Sequence, residues 1–360
     1  RQRQMCIRDS LRMLRHPSSS APKRAFTLTR WQERIIRRIY GPRNADGTMI
    51  VKTVLLLMPR GNRKTTLAAA LALLHTIGPE AVPGGQAIFA AKDSDQAKIA
   101  FEEAAGIIRE DKRLVRATKI YGSKTGKRLI NCDVKKSSLE VMSSDGGKAH
   151  GLSPTFILAD ELHVWKGREL WEALKSSRVK KRPLTIIAST AGAGNENLLY
   201  DEYLNACKIA TGEKINPSYL PVLLMAEPSD AWDDPATWHK ANPGLADGFV
   251  SIEEFENLVT DARDRPQERF AFLQYNLNVW QGASREPLFD MGIYDQGHDT
   301  NFDLADLEIL PAYLGVDMSV NGDLTAIVAA WKHDDGRIFM HPWFFVPGDD
   351  LKARAVKDAV

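Results

Sequence analysis

The chain has 360 residues, of which 44% are hydrophobic and 26% are charged, and its formal net charge is +2. This length predicts two domains with sizeable cores, and the near-neutral charge excludes a protein that is basic over its whole surface. Three widely spaced cysteines without a CxxC pair argue against a zinc site or a disulfide framework and fit a reducing compartment. The sequence shows no apolar run of transmembrane length and no secretory signal.

The N-terminal part of the chain begins without a recognisable structural element. Residues 1–22 match no element of a fold and end in a stretch rich in Ser and Pro, so we expect them to be disordered or artefactual. The segment FTLTRWQERIIRRIY, from Phe26 to Tyr40, predicts an amphipathic helix that begins at Thr29. Within it, Gln32 is either an exposed helix residue or an amide that reads the edge of an adenine base.

The segment VLLLMPRGNRKTT, residues 54–66, has the pattern of a strand, a polar loop and a helix start. The apolar run predicts a buried strand, and the LAAALALLHTI that follows predicts a helix. This is the layout of a phosphate-binding P-loop, in which backbone N–H groups and the helix N-terminus attract a polyphosphate. Lys64 would reach the outer phosphates, and the Thr65 hydroxyl would hold Mg²⁺.

The loop departs from the usual GxxxxGK[ST] pattern, because Met58 and Arg63 stand where the two glycines would be. A side chain at position 63 would clash with a phosphate or require a positive φ, at a cost of about 1–2 kcal/mol. Gly61 would then provide the tight turn. From this stretch alone, a buried strand with a solvated Arg-Lys turn remains the alternative.

Strands and helices alternate after this segment, which is typical of an α/β fold. QAIFAA at residues 86–91 predicts a strand, and the Asp-Ser-Asp sequence at residues 93–95 caps a helix that ends at Arg109. Residues 129–132 and 138–142 predict a pair of strands. The first part of the chain therefore predicts a sheet flanked by helices.

TFILADE, residues 155–161, predicts a buried strand that delivers two carboxylates at its C-terminal end. In this Walker B pattern, Asp160 would hold Mg²⁺ through water, and Glu161 would polarise the attacking water as a general base. The alternative is a strand that ends in two solvated acids. Because the pattern follows the Lys64 loop in the expected order, the combination favours a P-loop ATPase.

Residues 183–188 predict the next strand, and two hydroxyl residues follow it. Ser189 and Thr190 are either ordinary hydroxyls at the end of a strand or sensors of a γ-phosphate. The basic run RVKKR at residues 178–182 is either a solvated turn or a patch that faces DNA. Further helices are predicted at residues 197–211, 251–262 and 268–277, with a strand at residues 218–226.

The C-terminal part of the chain starts a new pattern. YLGVD, residues 313–317, predicts a strand that ends in a carboxylate, and two more strands follow as a meander around a turn at residues 334–336. Such a beginning is typical of RNase H-like nucleases, in which Asp317 would help to hold a divalent metal for phosphodiester hydrolysis.

The ordered set of motifs resembles the large subunit of tailed-phage terminases, from about Phe26 to the end of the chain. The motifs are FTLTRWQ, PRGNRKT, AAKDSDQAKIAF, HGLSPTFILADELH, IIASTAG, WHKANPG, FLQYNLNVW and LGVDMSVNGDLTA. The resemblance implies an α/β fold of the RecA/ASCE-like P-loop NTPase type, with a mainly parallel sheet flanked by helices, and then the start of an RNase H-like nuclease domain.

The domain boundaries that follow are residues 23–280 for the packaging ATPase, 281–310 for a linker and 311–360 for a partial nuclease domain. The chain starts at Arg1 rather than Met, and its last ten residues stop within a helical-looking pattern. We therefore expect a C-terminally truncated fragment.

The P-loop of this family commonly reads PRxNGK[ST], and Arg63 replaces its glycine here. The nucleotide-binding loop implied by the resemblance is Arg60, Gly61, Asn62, Arg63, Lys64, Thr65 and Thr66. The resemblance also implies that Arg60 is an arginine finger, that Gln32 contacts adenine, and that Ser189 and Thr190 belong to a segment coupling hydrolysis to movement. Asp317 would be the first nuclease acid, and Asp323 a second candidate metal ligand.

The implied function is an ATP- and Mg²⁺-dependent motor that translocates double-stranded viral DNA into a procapsid. An endonuclease that uses Mg²⁺ or Mn²⁺ would cut the concatemeric DNA in the full-length protein. The implied partners are the portal protein and a terminase small subunit, with a homo-oligomeric ring on the portal or a monomer in isolation. The expected location is the host cytoplasm, with transient attachment to the procapsid. The alternatives are a helicase-like P-loop ATPase without a nuclease and a nucleotide-dead scaffold caused by Arg63.

Overall fold

The structure is a computed structural model that describes residues 2–16, 25–122, 128–143, 153–165, 167–181, 183–194, 197–282, 297, 307, 309–318 and 325–345. The chain divides into two compact units, Arg1–Pro287 and Leu288–Val360. None of the helices in the described part of the chain is long and apolar enough to cross a membrane.

The first unit contains the described helices and a large sheet. Its helices are α1 (Gln2–Arg12), α2 (Arg30–Tyr40), α3 (Lys64–Thr76), α4 (Ser94–Arg109), α5 (Lys112–Ala117), α6 (Glu169–Lys181), α7 (Leu198–Ala210), α8 (Pro235–Ala241), α9 (Pro243–Ala246), α10 (Ile252–Asp264) and α11 (Pro266–Tyr275). Its strands are β1 (Thr53–Leu57), β2 (Gln86–Ala91), β3 (Thr118–Tyr121), β4 (Leu129–Cys132), β5 (Ser137–Ser143), β6 (Phe156–Asp160), β7 (Leu184–Ser189) and β8 (Tyr219–Leu223). A 3₁₀ turn, Leu162–Val164, follows β6.

Within the described residues, eight strands form one sheet in the order β3-β4-β5-β2-β6-β7-β1-β8. In this order, the six strands β5, β2, β6, β7, β1 and β8 pair in parallel with one another. Strand β4 pairs antiparallel with both β3 and β5. The mainly parallel α/β sheet predicted from the sequence is therefore confirmed. Because parallel strands end at the same edge of a sheet, the C-terminal ends of β1, β6 and β7 lie side by side.

The sheet is buried on both faces, because alternate residues of its strands enter two different cores. In β1, Val54 and Leu56 belong to the core that includes α3 and α4, whereas Leu55 and Leu57 belong to the core that includes α7. This explains why the central strands are continuous apolar runs rather than alternating ones. The result is a layer of strands between two layers of helices.

The helices α8, α10 and α11 form a separate small core that contains Trp238, Phe255 and Phe272. Trp238 is only 4% exposed. Its ring lies 5.5 Å from that of Phe255, and its Nε1–H donates to the carbonyl of Trp232. Residues 235–275, which comprise α8, α9, α10, α11 and the loops between them, are called the helical subdomain below, and they adjoin the C-terminal edge of the sheet.

Two stretches of the chain differ from what the sequence alone suggested. Residues 2–12 form helix α1, whereas we expected a disordered or artefactual N-terminus; Ile7 and Leu11 are fully buried in the core shared with α2 and α3. Of the two alternatives for the basic run at residues 178–182, the turn is excluded for residues 178–181, which belong to helix α6, and the patch that faces DNA remains a prediction. A basic run is compatible with the last turn of a helix, where cations interact favourably with its dipole.

The second unit contains a three-stranded antiparallel sheet among its described residues, in the order β11-β10-β9. Its strands are β9 (Ala312–Asp317), β10 (Thr325–Lys332) and β11 (Ile338–Phe345). The predicted hairpin turn is confirmed, since the N–H of His333 bonds to the carbonyl of Arg337 and Gly336 has a φ of 88°. Asp317 is the last residue of β9, as predicted, and lies opposite Ala326.

Candidate functional site

The loop from β1 to α3 reverses the chain within a few residues. Gly61 has a φ of 83°, and a Cβ at this position would lie 2.6 Å from the Val250 side chain, so only glycine fits. Arg63 is also left-handed, with φ 55° and ψ 35°, and it immediately precedes the first residue of α3, Lys64. Both consequences expected from the missing glycine, the relocated turn at Gly61 and the positive φ at Arg63, are therefore present.

Asn62 joins this loop to the helical subdomain through hydrogen bonds. Its side chain is buried, its Nδ2 donates to Asn242 Oδ1 at 2.8 Å, and its Oδ1 accepts from the N–H of Gly244 at 3.0 Å. The same Nδ2 lies 3.3 Å from the carbonyl of Pro59. These bonds give Asn62 a structural role in holding the shape of the loop, and its role as a nucleotide contact remains a prediction.

The two arginines of the loop stack on aromatic rings. The guanidinium of Arg60 lies 3.7 Å from the Tyr275 ring centroid, and the backbone N–H of Arg60 donates to the Tyr275 carbonyl at 2.9 Å. The guanidinium of Arg63 lies 4.4 Å from the ring centroid of Phe249. Cation–π contacts of this kind contribute about 0.5–1 kcal/mol at exposed sites. They turn both side chains toward the helical subdomain.

Lys64 and Glu161 meet at the edge of the sheet. The Nζ of Lys64 donates to Glu161 Oε1 at 2.7 Å, and the Lys64 side chain is only 7% exposed. Glu161 follows the last residue of β6, Asp160, and leaves the strand in a left-handed conformation with φ 48° and ψ 50°. Since such a conformation costs a non-glycine residue energy, it is an observed strain at this carboxylate.

The second oxygen of Glu161 faces the end of β7. Its Oε2 accepts from the backbone N–H of Thr190 at 3.3 Å, and the Thr190 hydroxyl lies 3.5 Å away. The Nδ1 of His163 lies 3.2 Å from the same oxygen and 3.0 Å from the Ser189 hydroxyl. The predicted residues Lys64, Glu161 and Thr190 are thus brought together, whereas Ser189 contacts His163 rather than Glu161.

The two neighbouring carboxyls have opposite pKa shifts. Burial, and then the charge of Glu161, raise the pKa of Asp160 to about 7, although Lys64 lowers it. Burial also raises the pKa of Glu161, but the Lys64 charge and the hydrogen bond from His163 together lower it well below its usual value. Near neutral pH, Glu161 is therefore ionised, and Asp160 is the more readily protonated of the two carboxyls.

The environment of Asp160 fits a divalent cation. Its side chain is buried, and its Oδ1 has no hydrogen-bond partner among the described residues. An orphaned buried carboxylate oxygen is costly unless a ligand satisfies it. Thr65, at the start of α3, would supply the hydroxyl ligand, and carboxylate and hydroxyl oxygens are ligands that Mg²⁺ prefers.

Two other predicted nucleotide contacts have side chains bonded elsewhere. The Oε1 of Gln32 accepts from the backbone N–H of Thr29 at 3.1 Å, so this oxygen caps α2. The hydroxyl of Thr66 donates to Glu103 on α4 at 3.0 Å. Their roles as nucleotide contacts remain predictions, and these bonds give each of them a structural role in the protein without a nucleotide.

The predicted nuclease residues belong to the second unit. Asp317 is exposed at the end of β9. Asp323 lies outside the residues that the structure describes. Among the described side chains, no group of three or more His, Cys, Asp or Glu residues could hold a metal ion. The described part of this unit therefore contributes one predicted ligand and not a complete site.

Sequence reasoning missed the residues that hold the site in place from outside the motifs. Asn278 accepts from the N–H of Ala191 at 2.6 Å, and Gln274 donates to the carbonyl of the same residue at 3.0 Å. Asn242 holds Asn62 in a comparable way. These three residues lie in the segments WHKANPG and FLQYNLN. Their spacing in the sequence does not show that their side chains contact loops far away in the chain.

A parallel strand, a tight loop, a lysine at a helix N-terminus and paired carboxylates at the end of a parallel strand two places away in the sheet define a P-loop NTPase. A family model described as the ATPase domain of the terminase large subunit matches residues 30–208, and one described as its endonuclease domain matches residues 219–359. The chain belongs to the terminase large subunit family. The endonuclease match disfavours the alternative of a helicase-like ATPase without a nuclease.

Known relatives agree with this assignment. The terminase large subunit of Enterobacteria phage HK97 is 28% identical over 310 residues, which covers 84% of this chain and 58% of the relative. That of Lactococcus phage p2 is 25% identical over 306 residues, which covers 82% of this chain and 53% of the relative. The chain thus spans about half the length of the curated relatives it matches.

The fold is also similar to a solved structure. The crystal structure of the HK97 bacteriophage large terminase has a TM-score of 0.67 and 23% identity, and the match covers 99% of this chain and 71% of that one. The likeness supports the same overall fold.

Proposed function

We propose that this chain is the ATPase part, and the beginning of the nuclease part, of a motor that packages double-stranded viral DNA into a procapsid. The observation that carries the proposal is the contact of Lys64 with Glu161 at 2.7 Å beside the buried Asp160. These are the residue types that bind a triphosphate and activate water in P-loop ATPases. The proposed ATPase domain comprises residues 23–280, followed by a linker at 281–310 and a partial nuclease domain at 311–360.

In the proposed reaction, Lys64 and the N-terminus of α3 bind the phosphates of ATP, and Thr65 and Asp160 hold Mg²⁺. The ion supplies charge neutralisation for the transferred phosphoryl group. Glu161 orients the attacking water and accepts its proton. Arg60 and Gln32 remain proposed as arginine finger and adenine contact, which requires Arg60 to leave the ring of Tyr275.

The contact between Lys64 and Glu161 gives this reaction an order. While Lys64 Nζ occupies Glu161 Oε1 at 2.7 Å, that oxygen cannot accept a proton from water. A bound phosphate would compete for the Lys64 ammonium and release Oε1 for catalysis. Glu161 is therefore protected from unproductive chemistry until a nucleotide is present.

The remaining parts of the proposal concern partners. Double-stranded DNA would be gripped through its phosphates, so binding should weaken as salt increases. The portal protein and a terminase small subunit are the proposed protein partners, with a ring of copies on the portal and a monomer in isolation. The proposed location is the host cytoplasm, with transient attachment to the procapsid. For the nuclease, Asp317 and Asp323 are proposed as ligands of Mg²⁺ or Mn²⁺.

The test is movement along DNA by the full-length protein. On blunt duplex DNA that carries a bound third strand, we expect ATP-dependent displacement of that strand without separation of the duplex. ATP-dependent unwinding of a forked substrate would instead favour a helicase. Absence of ATP hydrolysis in the presence of Mg²⁺, with activity regained by Arg63→Gly, would favour a nucleotide-dead scaffold.

A further inference from the structure

His163 is a buried side chain to which the proposed hydrolysis assigns no role. It lies in the 3₁₀ turn directly after Glu161, and its side chain is 6% exposed. Its Nδ1 lies 3.2 Å from Glu161 Oε2 and 3.0 Å from the Ser189 hydroxyl oxygen. The imidazole therefore joins the end of β6 to the end of β7 at the carboxylate itself.

The partners of Nδ1 determine which ring nitrogen carries hydrogen. An ionised Glu161 can only accept, so Nδ1 must donate to it. The Ser189 hydroxyl donates to the carbonyl of Thr190 at 3.1 Å, which leaves the hydroxyl oxygen able to accept. A histidine with its hydrogen on Nδ1 satisfies both contacts at once.

The turn itself does not depend on the imidazole. The N–H of Val164 donates to the carbonyl of Glu161 at 3.1 Å. The indole N–H of Trp165 donates to the carbonyl of Asp160 at 3.0 Å. Because these bonds close the chain after β6 without any atom of the His163 side chain, the ring is available for a more specific task.

The two oxygens of Glu161 have separate sets of partners. Oε1 is bonded to Lys64, whereas Oε2 is bonded to Thr190 and His163. In the proposed reaction only the Lys64 bond is broken, when the ammonium turns to a phosphate. The Oε2 bonds can persist through that change and prevent the carboxylate from following the lysine.

We propose that His163 is a positioning residue that keeps Glu161 Oε2 at the end of β7, so that Oε1 faces the attacking water after Lys64 has left. This inference rests on the proposed ATPase function. In this inference, the orientation of the general base is maintained by a side chain that belongs neither to the Lys64 loop nor to the two carboxylates. Loss of that side chain should therefore change turnover rather than nucleotide affinity.

Two substitutions in the full-length protein test the role. His163→Leu removes the donor and keeps a buried apolar side chain, and we expect kcat for ATP to fall about 10- to 100-fold, because a misplaced catalytic group costs rates of this order. His163→Asn retains an amide N–H near the position of Nδ1, and we expect kcat within about 3-fold of the original. The Kd for ATP should change by less than about 2-fold in both variants.

The matched control is His239→Leu, the same change at an exposed histidine of α8. It should leave kcat and Kd unchanged. An unchanged kcat in His163→Leu, or equal losses in the Leu and Asn variants while both retain the original melting temperature, would overturn the positioning role. A parallel rise in Kd and fall in melting temperature in His163→Leu would show a merely structural role and would equally overturn it.

A second readout does not need activity. In ¹⁵N-labelled protein without nucleotide, long-range ¹H–¹⁵N spectra distinguish the two tautomers of His163. We expect the Nδ1–H form in the original protein and a changed signal in Glu161→Leu. An Nε2–H form would contradict the inference even if the protein hydrolyses ATP. Absence of ATP hydrolysis, with the Nδ1–H form present, would contradict the proposed function and leave the His163 contact supported.

Discussion

The C-terminal ends of β1 and β6 meet at the site. The chain after each of them contains a non-glycine residue in the left-handed conformation. Arg63 follows β1 with φ 55°, and Glu161 follows β6 with φ 48°. Their side chains have opposite environments. Arg63 lies over the ring of Phe249 on the helical subdomain, whereas Glu161 is turned inward onto Lys64 at 2.7 Å.

The same left-handed backbone conformation therefore has a different consequence at Glu161 and at Arg63. At Glu161 the strain aims a carboxylate at the lysine that binds phosphate, which is where strained residues commonly serve function. At Arg63 the backbone has the conformation that glycine adopts easily, and the side chain packs on an aromatic ring of the helical subdomain. The Arg63 side chain is thus directed at the helical subdomain while Lys64 contacts Glu161, which disfavours a nucleotide-dead scaffold.

The largest expected effect comes from Glu161→Gln. The amide cannot accept a proton from water, so we expect kcat for ATP to fall by about 10²- to 10⁴-fold, the range typical of general acid–base catalysis. The affinity for ATP should persist, because Lys64 remains. Steady-state hydrolysis and equilibrium binding measure the two quantities. Glu256→Gln on the exposed face of α10 is the control, and unchanged turnover in Glu161→Gln would remove Glu161 as the base.

The next effect concerns the pH dependence of stability at Asp160. Its pKa of about 7 in the folded protein exceeds the usual 3.8 of this side chain, so the folded state binds the proton more tightly. Stability without metal should therefore fall as pH rises from about 4 to about 7. A rise of this pKa from 3.8 to about 7 corresponds to at most about 4 kcal/mol of stability.

Asp160→Asn should abolish this fall and stabilise the metal-free protein at pH 8. Denaturant unfolding in EDTA between pH 5 and pH 8 measures the difference. Adding Mg²⁺ should stabilise the original protein more than the Asn variant. The same change at the exposed Asp261 should alter neither the pH dependence of stability nor the stabilisation by Mg²⁺. An equal pH dependence in Asp160→Asn and in the original protein would contradict the assignment of the raised pKa to Asp160.

A third effect tests the attachment of the loop. Asn62→Ala leaves Asn242 and the N–H of Gly244 without their partners in a buried place, at about 1–3 kcal/mol for each group. We expect a lower denaturation midpoint by urea and a higher KM for ATP, because the loop loses its support. Asn44→Ala, at an exposed turn, is the control. Unchanged stability would show that Asn62 does not fasten the loop.

The smallest effect is expected for Arg63→Gly. The change relieves about 1–2 kcal/mol of backbone strain but loses about 0.5–1 kcal/mol of contact with Phe249 and about 0.5–1 kcal/mol through greater freedom of the unfolded chain. The net change in the free energy of unfolding should stay within about 1 kcal/mol, and turnover within about 3-fold. Arg63→Ala keeps the strain and loses the contact, so it should be the less stable of the two variants.

Much of the fold follows from local sequence signals. The predicted capping residue Asp93 accepts hydrogen bonds from the first turn of α4, and β2 has the bounds that its apolar run predicts. Lys64, Asp160 and Glu161 were also predicted, because the C-terminal ends of parallel strands share one edge.

The rest of the site depends on long-range contacts that no local pattern reveals. The sequence predicts Asn62 as a loop residue near a phosphate. Its hydrogen-bond partner Asn242, however, lies far away in the chain. His163 follows the two carboxylates in the sequence, but only the pairing of β6 with β7 brings its ring to Ser189. Helix α1 was missed because its apolar residues Ile7 and Leu11 are few among charged neighbours.

The convergence of Lys64, Asp160 and Glu161 on a single triphosphate site is tested most directly by titrating the protein with a fluorescent ATP analogue in the presence of Mg²⁺. We expect saturable binding by the original protein, an affinity at least about 10-fold lower in Lys64→Ala, and no change in Lys98→Ala on the exposed face of α4. Equal affinity of the original protein and Lys64→Ala would contradict a nucleotide site at these strand ends.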